Sequence, residues 1–229
     1  SRDTTALWEA ATRIAIEGIP RWYPRSTPVD CRYQIPILKA VDVEVLPTTA
    51  TAYNKRGQAS HPESTLLHFC VNDARLRPLL HQPQRYLEGF SRAWGLSTPD
   101  CSIRADAPRD LKIQAVRLNR MVGAYYQSRG FRVIPHVRWC DSRDYDYCFS
   151  GVNPGSPVMI STYGSWRAPA LRDGLIRGLP ELWDRLTPYV VFVYGTVDHP
   201  AFDQLGRRTQ LVHLLDDWTR ARKRSKLNG

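Results

Sequence analysis

The side chains best suited to chemistry in this 229-residue sequence stand where short apolar runs end. Asp73 and Asp100 each follow such a run, and Asp106 comes six residues after Asp100. His136 and Arg138 stand at the end of another run. Carboxylates beside an imidazole can share general acid and base work or bind a hard divalent cation. The candidate catalytic residues are therefore Asp73, Asp100, Asp106, His136 and Arg138.

A structural interpretation of the same residues is also open. Asp73 and Asp106 are of the type that caps helices, and Asp106 precedes Pro108 and a strong helical pattern. A single histidine among apolar residues, such as His136, is often a hydrogen-bonded core residue. Arg138 can form an ion pair with Asp141 at the surface. The sequence alone does not choose between these roles and catalysis.

A second group of residues is of the kind that binds a substrate. A guanidinium next to an indole, as in Arg138-Trp139, can bind an anion or stack on a base. The hydroxyl-rich segment 161–165 follows an apolar run and offers a loose phosphate cradle, although an ordinary strand-to-helix turn has the same composition. In segment 144–149 aromatic residues alternate with two aspartates and a cysteine. This pattern fits a half-buried strand or one helical turn. The candidate substrate-binding residues are Trp139, Asp146, Ser161, Thr162 and Gly164.

The elements that must position these residues alternate from residue 65 onward between short β-type runs and helical patterns. Near-continuous apolar strands separated by helices predict an α/β fold of parallel strands covered by helices. Polar residues follow every strand and no GxGxxG follows the first, which favours a TIM-like barrel, incomplete or distorted. The alternative is an open doubly wound sheet. In both folds the carboxyl ends of the strands form one rim, where the candidate residues should meet.

The pattern also gives approximate bounds for the elements. Strands are predicted at 66–71, 96–98, 131–137, 158–161, 189–194 and 210–213, and helices at 4–18, 83–94, 108–129, 168–186 and 215–224. Residues 35–46 could hold one more strand, and 47–63 are expected to form a long exposed loop. We therefore divide the chain into residues 1–64, an N-terminal helix with an irregular Pro/Arg-rich extension, and residues 65–229, a β/α domain with a basic C-terminal helix.

The charge of the chain favours a polyanionic partner. Its formal net charge is +10 and its pI is about 9.6, a balance that is common in proteins that bind nucleic acid. A basic tail near the C-terminus could contact phosphates without regard to sequence, or could be a solvated helix end. The candidate nucleic-acid-binding residues are Arg220, Arg222, Lys223, Arg224 and Lys226.

Cysteine usage and hydropathy indicate a reduced, cytoplasmic protein. The five cysteines have no CxxC spacing, which argues against a zinc site or a disulfide framework, so no metal site is assigned. Cys70 and Cys101 lie in or beside apolar runs and are interpreted as small buried hydrophobic residues. The sequence contains no signal peptide and no apolar run of about 18 residues that could cross a bilayer. Ser1 is interpreted as a processing boundary. No cofactor is identified.

Residues 67–195 resemble a family known as domain of unknown function 4417, which is common in bacterial phages, plasmids and integrative elements. The resemblance is carried by HFCVNDARL, TPDCSIRADAP, RMVGAYYQSRGFRVIPHVRW, YDYCFSGV with PGSPVMISTYG, and LTPYVVFVYG. It implies no activity. Lys112 and Ala115 stand where the family usually has Gln and Asn. The recurrent family positions it implies are Asp73, Asp100, Ser102, Asp106, Arg120, Gln127, Pro135, Trp139, Asp146, Gly151, Ser156, Ser161, Thr162 and Gly164.

Three functions agree with these observations. The first is a nucleic-acid-associated accessory protein of a bacterial mobile element, acting in replication, transfer or maintenance and binding the phosphate backbone through a basic surface. The alternative is a barrel-type hydrolase or phosphoryl-transfer enzyme with a carboxylate, histidine and arginine site at the strand ends. A structural subunit of a larger assembly, with a protein partner, is the third.

Overall fold

A computed structural model describes residues 18–101, 103 and 105–215 of the chain. Seven parallel strands in this part form two sheets. The first sheet has the order β1-β2-β3-β4, and the second has the order β5-β6-β7. The strands are β1 (Thr49–Ala52), β2 (Thr65–His68), β3 (Gly95–Ser97), β4 (Val133–Ile134), β5 (Val158–Ser161), β6 (Val190–Tyr194) and β7 (Gln210–Leu214).

The two sheets are joined just beyond the end of β4. His136 forms a parallel bridge with Met159 of β5. The Met159 N–H donates to the Pro135 carbonyl at 2.8 Å, and the Val137 N–H donates to the Met159 carbonyl at 2.8 Å. All seven strands therefore follow one another in chain order across both sheets.

This arrangement confirms the predicted α/β fold with parallel strands but not the predicted barrel. A closed barrel needs its first and last strands to pair, and no pairing of β1 with β7 is found between the described residues. A doubly wound sheet, the other prediction, reverses its strand order at a switch point. The order within each of these sheets runs in one direction only.

The two faces of the sheets carry separate cores, because alternate residues of a strand point to opposite sides. Leu67, Leu96 and Val191 belong to the larger core, which the helices cover. The smaller core takes residues from every strand except β3, among them Ala50 of β1 and Leu214 of β7. The rest of that smaller core is Val43, Leu66, Trp94, Ile134, Met159, Val190, Phe192 and Tyr194.

Six α-helices lie in the described part of the chain, in addition to short 3-10 turns. The longest, from Arg109 to Ser128, buries one side against the sheet, and Gly130 follows it with a φ of +84°. None of these helices combines the length and apolar character needed to span a bilayer. The helices are α1 (Asp73–His81), α2 (Leu87–Phe90), α3 (Arg109–Ser128), α4 (Tyr145–Cys148), α5 (Pro169–Leu186) and α6 (Pro200–Gly206).

Several predicted elements are wrong in type or extent. The region 83–94 contains only a 3-10 turn and α2, whereas α1 was not predicted because Pro78 interrupts its pattern. The helix α1 begins because the Asn72 side chain accepts a hydrogen bond from the Ala74 N–H at 2.8 Å. The predicted strand 131–137 is reduced to β4, since Pro135 has no N–H to donate. Segment 144–149 is the helical turn, not the strand.

The N-terminal region also differs from its prediction. The expected loop 47–63 contains β1 and a 3-10 helix, and β1 pairs with β2 over four residues. The division of the chain at residue 64 stays a prediction. The predicted helices 4–18 and 215–224 fall almost entirely outside the described residues, as do Ser102 and the five basic residues from Arg220 to Lys226.

Candidate functional site

A thiol, a carboxyl and an imidazole meet at the carboxyl ends of β2, β3 and β4. Cys70, Asp100 and His136 each offer one atom that lies within 4.8 Å of the other two. Asp100 and His136 are buried, with exposed fractions of 7% and 2%, whereas Cys70 is partly exposed. Parallel strands bring these distant residues together because their carboxyl ends share one edge.

The three side chains form a compact group around the imidazole ring, which we call the relay. The Cys70 Sγ lies 4.0 Å from Nε2 of His136. The other ring nitrogen, Nδ1, lies 3.4 Å from Oδ1 of Asp100, a contact that is not a hydrogen bond. An ionised carboxylate at Nδ1 favours a proton on that nitrogen, which leaves the Nε2 lone pair facing the thiol. These are the residue types of a nucleophile, a general base and an orienting carboxylate.

Arg138 holds the carboxylate end of the relay. Its Nη1 donates to both oxygens of Asp100, at 2.9 Å and 3.0 Å. The Arg138 side chain is partly exposed, whereas that of Asp100 is 9% exposed. The electrostatic influence of Asp73, buried in the first turn of α1, also reaches Arg138. A buried carboxylate paired in this way stays ionised at low energetic cost.

The electrostatics of the cluster keep the thiol and the imidazole uncharged. Burial acts to raise the pKa of Asp100, but Arg138 and His136 overcome it and the pKa is lowered. Burial lowers the pKa of His136, against the opposing effect of Asp100. Burial, reinforced by Asp100, raises the pKa of the Cys70 thiol well above its ordinary value. At neutral pH the thiol is therefore protonated, the imidazole neutral and the carboxylate ionised.

Two residues of α3 fix the backbone that carries the relay. Asn119 donates to the Pro99 carbonyl at 2.5 Å and to the His136 carbonyl at 3.2 Å. Arg120 is 1% exposed and donates to the His136 carbonyl at 2.9 Å. Its guanidinium also donates to the carbonyls of Cys148 and Ser150, and burial lowers its pKa to about 10. Arg120 is thus a buried cation satisfied largely by carbonyl groups.

Cys70 is among the residues that line a cleft of about 610 Å³, which we call the main cleft. Such a volume is within the usual range for sites that bind small molecules. The wall of the cleft is formed by the end of β1, the start of α1 and two tyrosines that follow β5 and end β6. The main cleft is lined by Ala52, Asn54, Lys55, His68, Cys70, Val71, Asn72, Ala74, Arg75, Tyr163 and Tyr194.

A smaller cavity of about 230 Å³, the side cavity, lies next to it. Arg138, Trp139, Ser161 and Gly164 line this space, and Tyr163 lines both the side cavity and the main cleft. Ser161, which lines this cavity, lowers the pKa of the Cys70 thiol, against the larger effect of burial. Four predicted site residues therefore share one cavity beside the relay.

Comparisons with known proteins place the chain in a family. A family model described as "Domain of unknown function (DUF4417)" matches residues 27–213. The chain belongs to the DUF4417 family. The predicted resemblance is thereby confirmed, and the match begins well before residue 67, where the resemblance was placed. No solved structure matches this DUF4417 member significantly.

Two relatives of this DUF4417 protein come from phages. The Gene 1 protein of Mycobacterium phage L5 is 33% identical over 170 residues, which cover 73% of this chain and 73% of the relative. The Gene 1 protein of Mycobacterium phage D29 is 32% identical over 171 residues, which cover 73% of this chain but only 62% of the relative. Both agree with the predicted association of the family with phages.

Other predicted site residues of this DUF4417 member have different surroundings. Asp146 accepts hydrogen bonds from Tyr33 at 2.8 Å and from Arg109 at 2.5 Å, in an ion-pair cluster that includes Arg32. Thr162 is fully buried and its N–H donates to the Tyr194 carbonyl at 2.9 Å. Asp106 is exposed in the turn before α3. The catalytic or binding roles of these residues stay predictions.

The predicted anion site at Arg138 and Trp139 is occupied by the protein itself. Arg138 pairs with Asp100, as described above. The Trp139 indole is 6% exposed and donates to the Gly174 carbonyl at 3.0 Å. Both residues line the side cavity, yet each already has a partner within the chain.

Cys70 is the functional candidate that the sequence interpretation missed. It was assigned to the core because it follows an apolar strand. Counting every residue directly after β2 as a strand-end residue would have included Cys70, since Cys70 precedes Asn72 and Asp73 at the same rim. His68 and Tyr194, whose ring centroids lie 4.1 Å apart, are further members of the cleft.

The cluster is also of a type that could hold a transition metal, since thiolate, imidazole and carboxylate all bind such ions. One donor atom from each of the three residues lies within 4.8 Å of the other two, so a single ion could contact all three. The geometry therefore fits a metal ion as well as proton transfer.

Proposed function

We propose that this chain is a thiol-dependent hydrolase with Cys70 as its nucleophile. The observation that carries the proposal is the relay in which the two nitrogens of His136 face the Cys70 thiol and the Asp100 carboxylate. Cys70 lines the main cleft, where a substrate can bind. This proposal develops the enzyme alternative predicted from the sequence, with Cys70 added to the predicted residues Asp100, His136 and Arg138.

The reaction would pass through a thiol-linked intermediate. Nε2 of His136 accepts the Cys70 proton while sulfur bonds to the electrophilic atom of the substrate, and the imidazolium returns the proton to the departing group. Water then attacks the same atom, gives one proton to His136, and the bond to sulfur breaks. That proton restores the thiol. The net change is hydrolysis, in which the substrate gains OH and the leaving group gains H.

Each neighbour of the relay has a role in this scheme. Asp100 keeps the imidazole in the tautomer that can accept the thiol proton and stabilises the imidazolium that forms. Arg138 holds Asp100 ionised, and Asn119 and Arg120 position the backbone of His136. These two α3 residues are positioning residues, because they act only through His136.

A barrel-like arrangement of the strands supports the same proposal. The smaller core gathers residues from β1 and β7 on one face, and the ring of His68 in β2 contacts that of Tyr194 in β6 although the two strands are not paired. We take the fold to be an incomplete β/α barrel. Sites of such folds lie at the carboxyl ends of the strands, where the relay is found.

Acetylation by p-nitrophenyl acetate tests the nucleophile directly. Peptide mass spectrometry would follow the acetylation of Cys70, with the exposed Cys31 as internal reference. We expect His136→Asn to slow the acetylation of Cys70 at least about tenfold, because general-base assistance is worth that much or more. The exposed His61, changed to Asn, is the matched control. Equal acetylation of Cys70 in wild type and His136→Asn would refute the proposal.

Association with nucleic acid is the second candidate, supported by the net charge of +10 and the phage relatives. The basic tail that would make the contacts lies outside the described residues. Titration with single-stranded and double-stranded DNA and RNA at two salt concentrations tests it, since phosphate contacts weaken as salt rises. Absence of binding at low salt would rule it out. The third prediction, a structural subunit of a larger assembly, stays a prediction.

A further inference from the structure

The charged side chains that line the main cleft are both cationic. Lys55 lies in the 3-10 helix after β1, and Arg75 lies in the first turns of α1. Both are exposed, and no carboxylate accompanies them among the described residues of the lining. The amides of Asn54 and Asn72 stand beside them and can donate to oxygen. The mouth of the cleft therefore favours an anion, and guanidinium with ammonium suits a phosphate group.

The main cleft is also lined by two aromatic residues. Tyr163 is 53% exposed, and its ring centroid lies 6.2 Å from that of Tyr194. Tyr194 in turn contacts the ring of the buried His68. The Arg167 guanidinium lies 5.6 Å from the Tyr163 ring centroid and adds positive charge next to this ring. An exposed aromatic face beside cations is the combination that binds a nucleobase joined to phosphate.

We infer that the main cleft binds a nucleoside phosphate, with the phosphate between Lys55 and Arg75 and the base against Tyr163. This inference rests on the proposed function in that the bound molecule is the substrate presented to Cys70. The ligand could be a free nucleotide or the terminal nucleotide of a single strand, which share this chemistry. A cleft of about 610 Å³ can hold one nucleotide.

Calorimetric titration of the full chain carrying Cys70→Ser tests the inference without turnover. The probes are adenosine 5′-monophosphate, adenosine, inorganic phosphate, and a ten-nucleotide single strand with or without a 5′-phosphate. We expect the nucleotide to bind more tightly than either adenosine or phosphate, because it contacts both the cations and the aromatic residues. A 5′-phosphorylated strand that binds better than the free nucleotide would identify the strand end as the natural ligand.

Matched variants locate the binding. Lys55→Ala with Arg75→Ala removes two charges from the cleft, and Lys39→Ala with Arg92→Ala removes two exposed charges elsewhere, so both pairs have the same net charge. The cleft pair should weaken nucleotide binding at least about tenfold and the control pair less than about twofold. Tyr163→Ala should weaken nucleotide binding by about tenfold but leave the binding of inorganic phosphate unchanged. Tyr163→Phe should retain nucleotide binding.

The outcomes separate this inference from the proposed function. Loss of affinity that is equal in the two charge pairs, or no binding of any probe, would overturn the cleft as a nucleotide site. Nucleotide binding that depends on the cleft pair, without His136-dependent acetylation of Cys70, would support the site and reject the thiol mechanism. Acetylation without nucleotide binding would support the mechanism and reject this substrate class.

Discussion

At the scale of single residues, the chemistry of this protein depends on which groups the strand ends bring within reach of one imidazole. His136 has a thiol on one nitrogen and a carboxylate on the other, and the carboxylate is held by Arg138. Cys70 and Asp100 are separated by 30 positions in the sequence. The proposed roles of Cys70 and Asp100 follow from their position and burial, since no sequence motif identifies either residue.

Asp100 should control the imidazole without contacting the thiol. Replacing Asp100 by Asn keeps the shape but removes the charge that favours the proton on Nδ1. We expect the acetylation of Cys70 to slow by about 100-fold, because an incorrectly oriented or wrongly protonated imidazole is a poor base. Asp141→Asn is the control, since Asp141 forms an exposed ion pair with Arg143. A rate for Asp100→Asn equal to that of the control would remove Asp100 from the relay.

The buried ion pair between Lys112 and Asp144 is a second residue-level feature, outside the relay. Nζ lies 3.1 Å from Oδ1, and the two side chains are 5% and 1% exposed. Asp144 also accepts hydrogen bonds from Tyr147 and from the Cys140 N–H. The pair joins α3 to the segment that leads into α4. Lys112 is thus explained by a buried ion pair within the chain.

Replacing Lys112 should destabilise the folded protein. Lys112→Met leaves the Asp144 carboxylate buried without a cation, and we expect the free energy of unfolding to fall by about 3 kcal/mol. Lys112→Met combined with Asp144→Asn should recover part of this loss, because the amide is neutral and its oxygen can still accept hydrogen bonds. Urea denaturation measures both variants. A double variant as unstable as the single one would contradict this account.

At the scale of elements, α5 lies unusually close to the segment after β4. A Cβ added at Gly178 would lie 2.0 Å from Nε1 of Trp139, and one added at Gly174 would lie 2.0 Å from the Cys140 carbonyl oxygen. The two glycines are four residues apart and so share one face of the helix. This face lets the helix approach the indole, which donates to the Gly174 carbonyl.

Gly178→Ala tests this packing. The added methyl group must displace the Trp139 ring, and we expect a loss of stability of about 2 kcal/mol. Gly57→Ala is the control, because a Cβ there meets nothing within 4 Å, and its effect should be close to zero. Thermal unfolding followed by circular dichroism compares the two. A neutral Gly178→Ala would mean that the helix and the indole are not in close contact.

At the scale of the whole molecule, the two sheets depend on one junction. The hydrogen bonds between Pro135, Val137 and Met159 connect β4 to β5, and β1 lies at the far edge of the first sheet. Both cores extend across this junction, because each takes residues from the two sheets. The described chain should therefore unfold as one unit.

Hydrogen exchange tests that expectation and the predicted division at residue 64. The amides of Val137 and Met159 should exchange only through global unfolding, as should those of β1 that bond to β2, since the pairing buries them in one structure. Amide exchange followed by mass spectrometry or NMR measures their free energies of opening. A much lower value for β1 than for β6 would support a separate N-terminal region.

The sequence by itself determined the class of fold and several of its elements. The apolar runs at 158–161 and 189–194 and the helical pattern at 108–129 predicted β5, β6 and α3 almost to the residue, because long uniform patterns leave little choice of structure. It also predicted that Asp100, His136 and Arg138 would meet, because the carboxyl ends of parallel strands share one edge.

Only the tertiary structure decided what these residues do together. Patterning does not reveal that β1 forms within the 47–63 region or that α1 persists through Pro78, because both depend on partners distant in the sequence. It also does not separate Cys70 from the core cysteines, since the difference is a cleft beside the thiol and an imidazole 4.0 Å away. Local sequence patterns determine the secondary-structure elements. The distances between strand ends determine which side chains are close enough to act together.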